Sequence, residues 1–172
     1  MISCILQATI IEAEAMRVEK NEVSIGHLLD ELKSVYVVPF HKNIDIHWDY
    51  PAELPCVNTD REKLKHILQN LINNAVKFTD KGGVTISARY LHEVKRLKFQ
   101  VADSGIGISQ EEFSIIFEKF RQVDSSDSRA YGGVGLGLFI VKRFTELLGG
   151  DLSVSSEIAK GSTFTVTLPI DV

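Results

Sequence analysis

The stretch DREKLKHILQNLINNAVKFT, residues 60–79, decides how the rest of the chain is read. Asp60 is a residue type that accepts from the free amides at the start of a helix, and Leu64, Ile67, Leu68, Leu71, Ile72 and Ala75 then recur at helical spacing. One face of this helix must therefore be buried, which makes the residues on its other face informative. Asn70, Asn74 and Lys77 share that polar face, because helical neighbours three and four positions apart stand side by side. Asn offers a neutral carbonyl oxygen suited to Mg2+, and Lys a compact positive charge suited to phosphate. The same three residues would also serve an ordinary solvated helix face, so they need support from elsewhere in the chain.

Toward the N-terminus, residues 25–40 read as a second helix and residues 44–48 alternate as a strand, with Pro51 and Pro55 breaking the segment between that strand and Asp60. Ile2, Ile5, Leu6, Ile10, Ala13 and Met16 form a narrow apolar strip of the kind that packs against another helix. Toward the C-terminus, residues 84–91 and 97–102 read as a hairpin, and Ser109 with Glu112 as a capping box for a short helix reaching about Phe117. Small polar residues at 124–131 read as a mobile loop. The glycines of 132–137 open a helix carrying Ile140, Val141, Phe144, Leu147 and Leu148, which Gly149 and Gly150 stop. Two further strands, 152–156 and 163–168, close the chain. This order predicts a two-layer α/β sandwich, with one mixed sheet of about five strands and helices on one face.

With 172 residues, 44% of them hydrophobic, the chain can bury one sizeable core. Its 19 Lys and Arg against 23 Asp and Glu form no basic block, which argues against a nucleic acid as partner. The two cysteines, Cys4 and Cys56, lie far apart without metal-ligand spacing, which predicts a reducing compartment. No apolar run approaches the roughly 20 residues needed to span a bilayer. A cytoplasmic domain is expected, compatible with a membrane-anchored parent.

Two more segments carry chemistry. Asp103-Ser104-Gly105-Ile106-Gly107 follows a strand; an ionised Asp is a pure acceptor that suits an exocyclic amino group such as that of adenine, although Asp and Gly also build tight turns. Gly132-Gly133-Val134-Gly135-Leu136-Gly137-Leu138 places bare backbone amides at a helix N-terminus, where anions bind. It matches neither of the two common glycine-rich phosphate motifs: Ile140 stands where the dinucleotide pattern needs its third glycine, and no Gly-Lys-Ser/Thr order occurs.

Taken together these segments resemble the catalytic ATP-binding domain of sensor histidine kinases. Asn70 to Thr79 is similar to the N box, Asp103 to Gly107 to the G1 box, Phe117 to Phe120 to the F box, and Gly133 to Leu138 to the G2 box; Lys160-Gly161-Ser162-Thr163-Phe164 resembles the last glycine-containing segment. The resemblance covers residues from about 25 to the C-terminus and implies the Bergerat fold shared with gyrase, MutL and heat-shock chaperone ATPases. It implies that Asn74 holds Mg2+, with Asn70 and Lys77 beside the phosphates and Phe78 beside the nucleotide. Asp103 would read adenine, with Gly105 and Gly107 at the ring and Thr163 as a second polar contact. Phe117 and Phe120 would flank an ATP lid in which Arg121 or Arg129 reaches the γ-phosphate. Gly133, Gly135 and Gly137 would admit the phosphates, with Leu136 and Leu138 packed beneath. Val134 stands where a Thr or Ser is common, a loss of at most one hydrogen bond to a charged group, about 1.5–3 kcal/mol.

In the related ATPases a Glu precedes the Mg2+-holding Asn by one turn and serves as general base for water; here that position is Asn70. An amide cannot accept a proton at neutral pH, so transfer of the γ-phosphoryl group to an imidazole is favoured over hydrolysis. The alternatives left by the sequence are a degenerate nucleotide-binding switch, an interaction module, or a related ATPase. The resemblance further implies a phosphoacceptor dimerisation domain of the same protein as first partner, a response-regulator receiver domain downstream, and a homodimer in the full-length protein. Residues 1–22 are read as the end of the dimerisation helix, and 23–172 as the catalytic domain. None of His27, His41, His47, His66 and His92 heads the pattern expected of a phosphorylated histidine. Incubation with radiolabelled ATP is therefore expected to leave no stable, acid-labile label on this chain.

Overall fold

The structure, a computed structural model, describes residues 17–37, 42–119 and 135–170. In chain order it comprises β1 (Asn21–Ser24), α1 (Ile25–Val35), β2 (Asn43–Asp49), β3 (Cys56–Thr59), α2 (Arg61–Phe78), β4 (Lys81–Leu91), β5 (Arg96–Asp103), α3 (Gly137–Leu147), β6 (Asp151–Glu157) and β7 (Gly161–Pro169). Five strands form one sheet in the order β2-β4-β5-β7-β6, and β1 pairs with β3 in a separate ribbon. The β2–β4 pair is parallel and its neighbours are antiparallel, so the sheet is mixed as expected.

Alternation along the strands selects the buried face. Val84, Ile86 and Ala88 of β4, Leu97, Phe99 and Val101 of β5, and Phe164, Val166 and Leu168 of β7 are buried with the apolar stripes of α1, α2 and α3 in one continuous core. The stripe of α2 is the one its spacing predicted, from Leu64 to Ala75. On the other face of the sheet the strands carry polar positions, among them Lys98, Gln100, Thr165 and Thr167, and the Gln100 Nε2 donates to Thr165 Oγ1 at 3.1 Å.

Three local readings change. Helix α1 stops at Val35 instead of reaching residue 40, with Tyr36 already extended. The Tyr36 hydroxyl lies 3.2 Å from the Gln69 carbonyl and 3.0 Å from Asn73 Oδ1 on α2, contacts that hold the residue away from a further helical turn. The short helix expected over 109–117 is a 3-10 turn, Gln110–Glu112, followed by turns. The Glu112 carboxylate does accept from the Ser109 amide at 3.1 Å and from its hydroxyl at 2.8 Å, but the Glu112 carbonyl is shared by the amides of Ile115 and Ile116, so no regular ladder develops. The ribbon β1–β3 has no counterpart in the sequence reading. The apolar strip at 2–16 and the loop at 124–131 lie outside the described residues. Among the described residues no helix is long and apolar enough to cross a membrane.

The root of α2 is tied to the start of the described chain. Asp60 Oδ1 accepts from the Lys63 amide at 3.0 Å, and its Oδ2 accepts from the Glu19 amide at 3.0 Å and the Lys63 ammonium at 2.8 Å. The ammonium also donates to the Arg17 carbonyl at 2.7 Å. Burial pushes the Asp60 carboxyl up, but the Lys63 ammonium and the amides of Lys63 and Glu19 outweigh it and hold the group below its ordinary value. A depressed carboxylate contributes stability that is present above its unfolded value and lost as the pH falls through its folded one. Asp60→Ala, which takes the counter-charge from a buried ammonium and removes a cap, is expected to lower the urea-unfolding free energy at pH 7 by about 3 kcal/mol. The gap to wild type should shrink as the pH is taken below about 4.

Candidate functional site

Burying one side of α2 leaves Asn70, Asn74 and Lys77 half-buried on the other, and α3 approaches that side. A Cβ placed on Gly137, the first residue of α3, would stand 3.1 Å from Asn70 Oδ1 and 3.7 Å from Asn74 Nδ2. The two asparagines and the glycine predicted to admit phosphates are thus brought together. No side chain caps the start of α3, whose N-cap position is Leu136. The first amides of a helix have no intrahelical partner, and uncapped they carry partial positive charge. Asn70 is committed to the helix, donating from Nδ2 to the His66 carbonyl at 2.8 Å. Asn74 has no side-chain hydrogen bond among the described residues. The Lys77 ammonium lies 4.7 Å from the centre of the Phe78 ring, and burial lowers its pKa.

The loop after β5 meets the C-terminal end of the same helix. The Phe78 carbonyl accepts from the Ile106 amide at 3.3 Å, and a Cβ on Gly105 would collide with that carbonyl oxygen. Gly107 adopts φ +74° and lies so close to the Glu157 carbonyl that a side chain would strike it. Both glycines are therefore required by contacts of backbone on backbone, which fold the loop between α2 and the β6–β7 turn. Asp103 Oδ1 accepts from the Gly105 amide at 2.9 Å. Burial raises the Asp103 carboxyl above its ordinary value, while the amides of Gly105 and Ser162 pull it back. A partly desolvated carboxylate with spare acceptor capacity is suited to an amino donor.

Thr163 does not stand beside Asp103. In the β5–β7 register Asp103 pairs with Ser162, while Thr163 pairs with Ala102, and alternate residues of a strand face opposite sides. The polar side chain in the Asp103 row is that of Ser162, whose Oγ lies 2.9 Å from Ser156 Oγ; Ser156 Oγ in turn accepts from the Ile108 amide at 2.8 Å. The sequence reading missed Ser162, though counting alternation back from the buried Phe164 would have found it. Phe117 packs edge-on against Phe164 with ring centres 6.5 Å apart, so it anchors the segment entering residues 120–134 to the core. Leu138 also packs against the core. Gly135 adopts φ +71° just before α3. Phe120, Arg121, Arg129, Gly133 and Val134 lie outside the described residues. No group of three or more His, Cys, Asp or Glu among the described residues could hold a metal ion.

The chain is similar to known proteins. The family model for histidine kinase-, DNA gyrase B- and HSP90-like ATPases matches residues 59–172. The autoinducer 2 sensor kinase/phosphatase LuxQ of Vibrio vulnificus is 37% identical over 180 residues, covering 99% of this chain and 21% of its own length. The hybrid signal transduction histidine kinase B of Dictyostelium discoideum is 39% identical over 176 residues, covering 98% of this chain and 9% of its own. The crystal structure of full-length ShkA in complex with AMPPNP superimposes with a TM-score of 0.82 at 34% identity, over 98% of this chain and 35% of that one. The chain therefore spans about a fifth or less of the curated relatives named here.

Asp103→Asn keeps an oxygen for the amides of Gly105 and Ser162 and removes a charge that burial disfavours. At pH 7 the variant is expected to resist urea at least as well as wild type. Because the folded carboxyl is raised, its penalty is present above that raised value and fades as the pH falls toward the ordinary one, so any advantage of the variant should vanish by about pH 3.

Proposed function

The chain belongs to the family of histidine kinase-, DNA gyrase B- and HSP90-like ATPases, and from that premise we propose that it binds Mg·ATP and presents the γ-phosphoryl group to a histidine on a dimerisation domain of the same protein. The observation that carries the reading is the uncapped start of α3 against Asn70 and Asn74, on the helix whose C-terminal end meets the Asp103 loop. From Asn70 to Phe78 the helix axis advances about 12 Å, so base and phosphate functions are spread along one rigid element.

The roles follow from chemistry. Asp103 accepts from the exocyclic amine of adenine, and its desolvation strengthens that bond. The amides opening α3 and the Lys77 ammonium receive phosphate oxygens. Asn74, with its side-chain amide uncommitted, holds the cation, which when bound neutralises phosphate charge. Asn70 cannot act as a base, so a water molecule is not activated and a nucleophilic imidazole is the better acceptor. Arg121 or Arg129 of residues 120–134 supplies a further positive group. That relatives covering nearly the whole chain are named as sensor and hybrid histidine kinases supports the same assignment.

Residues 1–22 then form the end of a dimerisation segment and 23–172 the catalytic unit, although the pairing of Asn21 and Glu22 with Thr59 and Asn58 carries that unit's first strand back to residue 21. A homodimeric parent, a cytoplasmic location and a receiver domain as the next phosphate acceptor complete the proposal.

Calorimetry with Mg·ADP is expected to register binding by wild type and none by Asn74→Ala, with circular dichroism unchanged because the side chain is off the buried stripe. Supplied with Mg·ATP and a separately purified dimerisation domain of the parent, the wild-type chain should label that domain's histidine. Binding without transfer would leave only a nucleotide switch.

A further inference from the structure

The site rests on how α2 ends, and that end is held by a residue that none of the proposed roles uses. Lys42, one residue before β2, is nearly buried, with 8% of its side chain exposed. Its ammonium donates to the carbonyls of Val76 at 2.8 Å, Lys77 at 2.7 Å and Thr79 at 3.0 Å, and it pairs with Asp80 Oδ1 at 3.1 Å. The last carbonyls of a helix lack intrahelical donors, and a left-handed glycine commonly turns the chain to satisfy them. Here the C-cap is Thr79 in extended conformation (φ −112°, ψ 120°), and the lysine takes the place of the missing turn. A cation at this point also complements the negative end of the helix.

The carbonyl that Lys42 skips is that of Phe78, the one that accepts from Ile106 and against which Gly105 is pressed. The four carbonyls from Val76 to Thr79 are thus divided: three go to the ammonium, and one is left facing the Asp103 loop. We infer that Lys42 is a positioning residue for nucleotide binding. It touches no ligand but fixes the final turn of α2, so that the Phe78 carbonyl receives the base-binding loop while Asn74 and Lys77 keep their places on the phosphate side. The inference rests on the nucleotide reading above.

The test uses the whole chain, titrated with Mg·ADP at a temperature where near-ultraviolet circular dichroism shows every protein folded. Lys42→Met is compared with Leu28→Ala, a core truncation on α1. Lys42→Met should bind about tenfold more weakly, the equivalent of roughly one hydrogen bond to a charged group, while Leu28→Ala should bind like wild type despite a comparable fall in melting temperature. Should Lys42→Met fail to fold, Lys42→Gln, which retains one amide donor group, is read in the same way. Wild-type affinity in the Lys42 variant, or equal weakening in Leu28→Ala, would reduce Lys42 to a stabilising residue and leave the nucleotide reading standing. Failure of wild type itself to bind would remove both.

Discussion

The carbonyl oxygen of Phe78 is where helix, loop and sheet meet. It closes α2, takes the amide of Ile106, and lies so near Gly105 that no side chain fits between them. Because β5 runs directly into that loop, the contact fixes the distance between a strand-end carboxylate and a helix face of amides and ammonium. Those groups come from positions 70 to 78 and 103 to 107, and they act as one site only if this junction is rigid. The neighbouring glycines, the lysine that caps the helix and the turn between β6 and β7 all serve the same constraint.

The geometry also separates two kinds of glycine. Gly105 and Gly107 carry a ligand-binding signature, yet their immediate reason is that backbone presses on backbone at both places. Gly137 is different: the groups nearest its missing side chain are the amides of Asn70 and Asn74. A side chain there would crowd those amides, whereas one at Gly105 would displace the loop itself. Phe117 works from below, holding the approach to residues 120–134 against Phe164 without needing a ligand.

Much of this was legible in the sequence because it rests on period. The stripe of α2, the hairpin β4–β5 and the closing strands repeat often enough to be read, and Asn70, Asn74 and Lys77 stood out by being polar where the stripe left off. Short elements were not legible. The four residues of β1 and of β3 offer too few alternations to distinguish a strand from a loop, and their pairing joins positions about 35 apart. Register was misjudged by one residue at Thr163, and in a strand one residue is the difference between the two faces. Lys42 escaped notice for another reason: its partners are carbonyl groups, which every residue has, so nothing in the side chains of residues 76–79 announces it.

The buried pair at the root of α2 links two ends of the molecule that share no ligand. Lys63 and Asp60 grip the backbone at Arg17 and Glu19, and from there an unbroken helical rod of about 27 Å leads to the Phe78 junction. The first described residues and the Phe78 junction therefore keep a fixed spacing, set by the length of one helix.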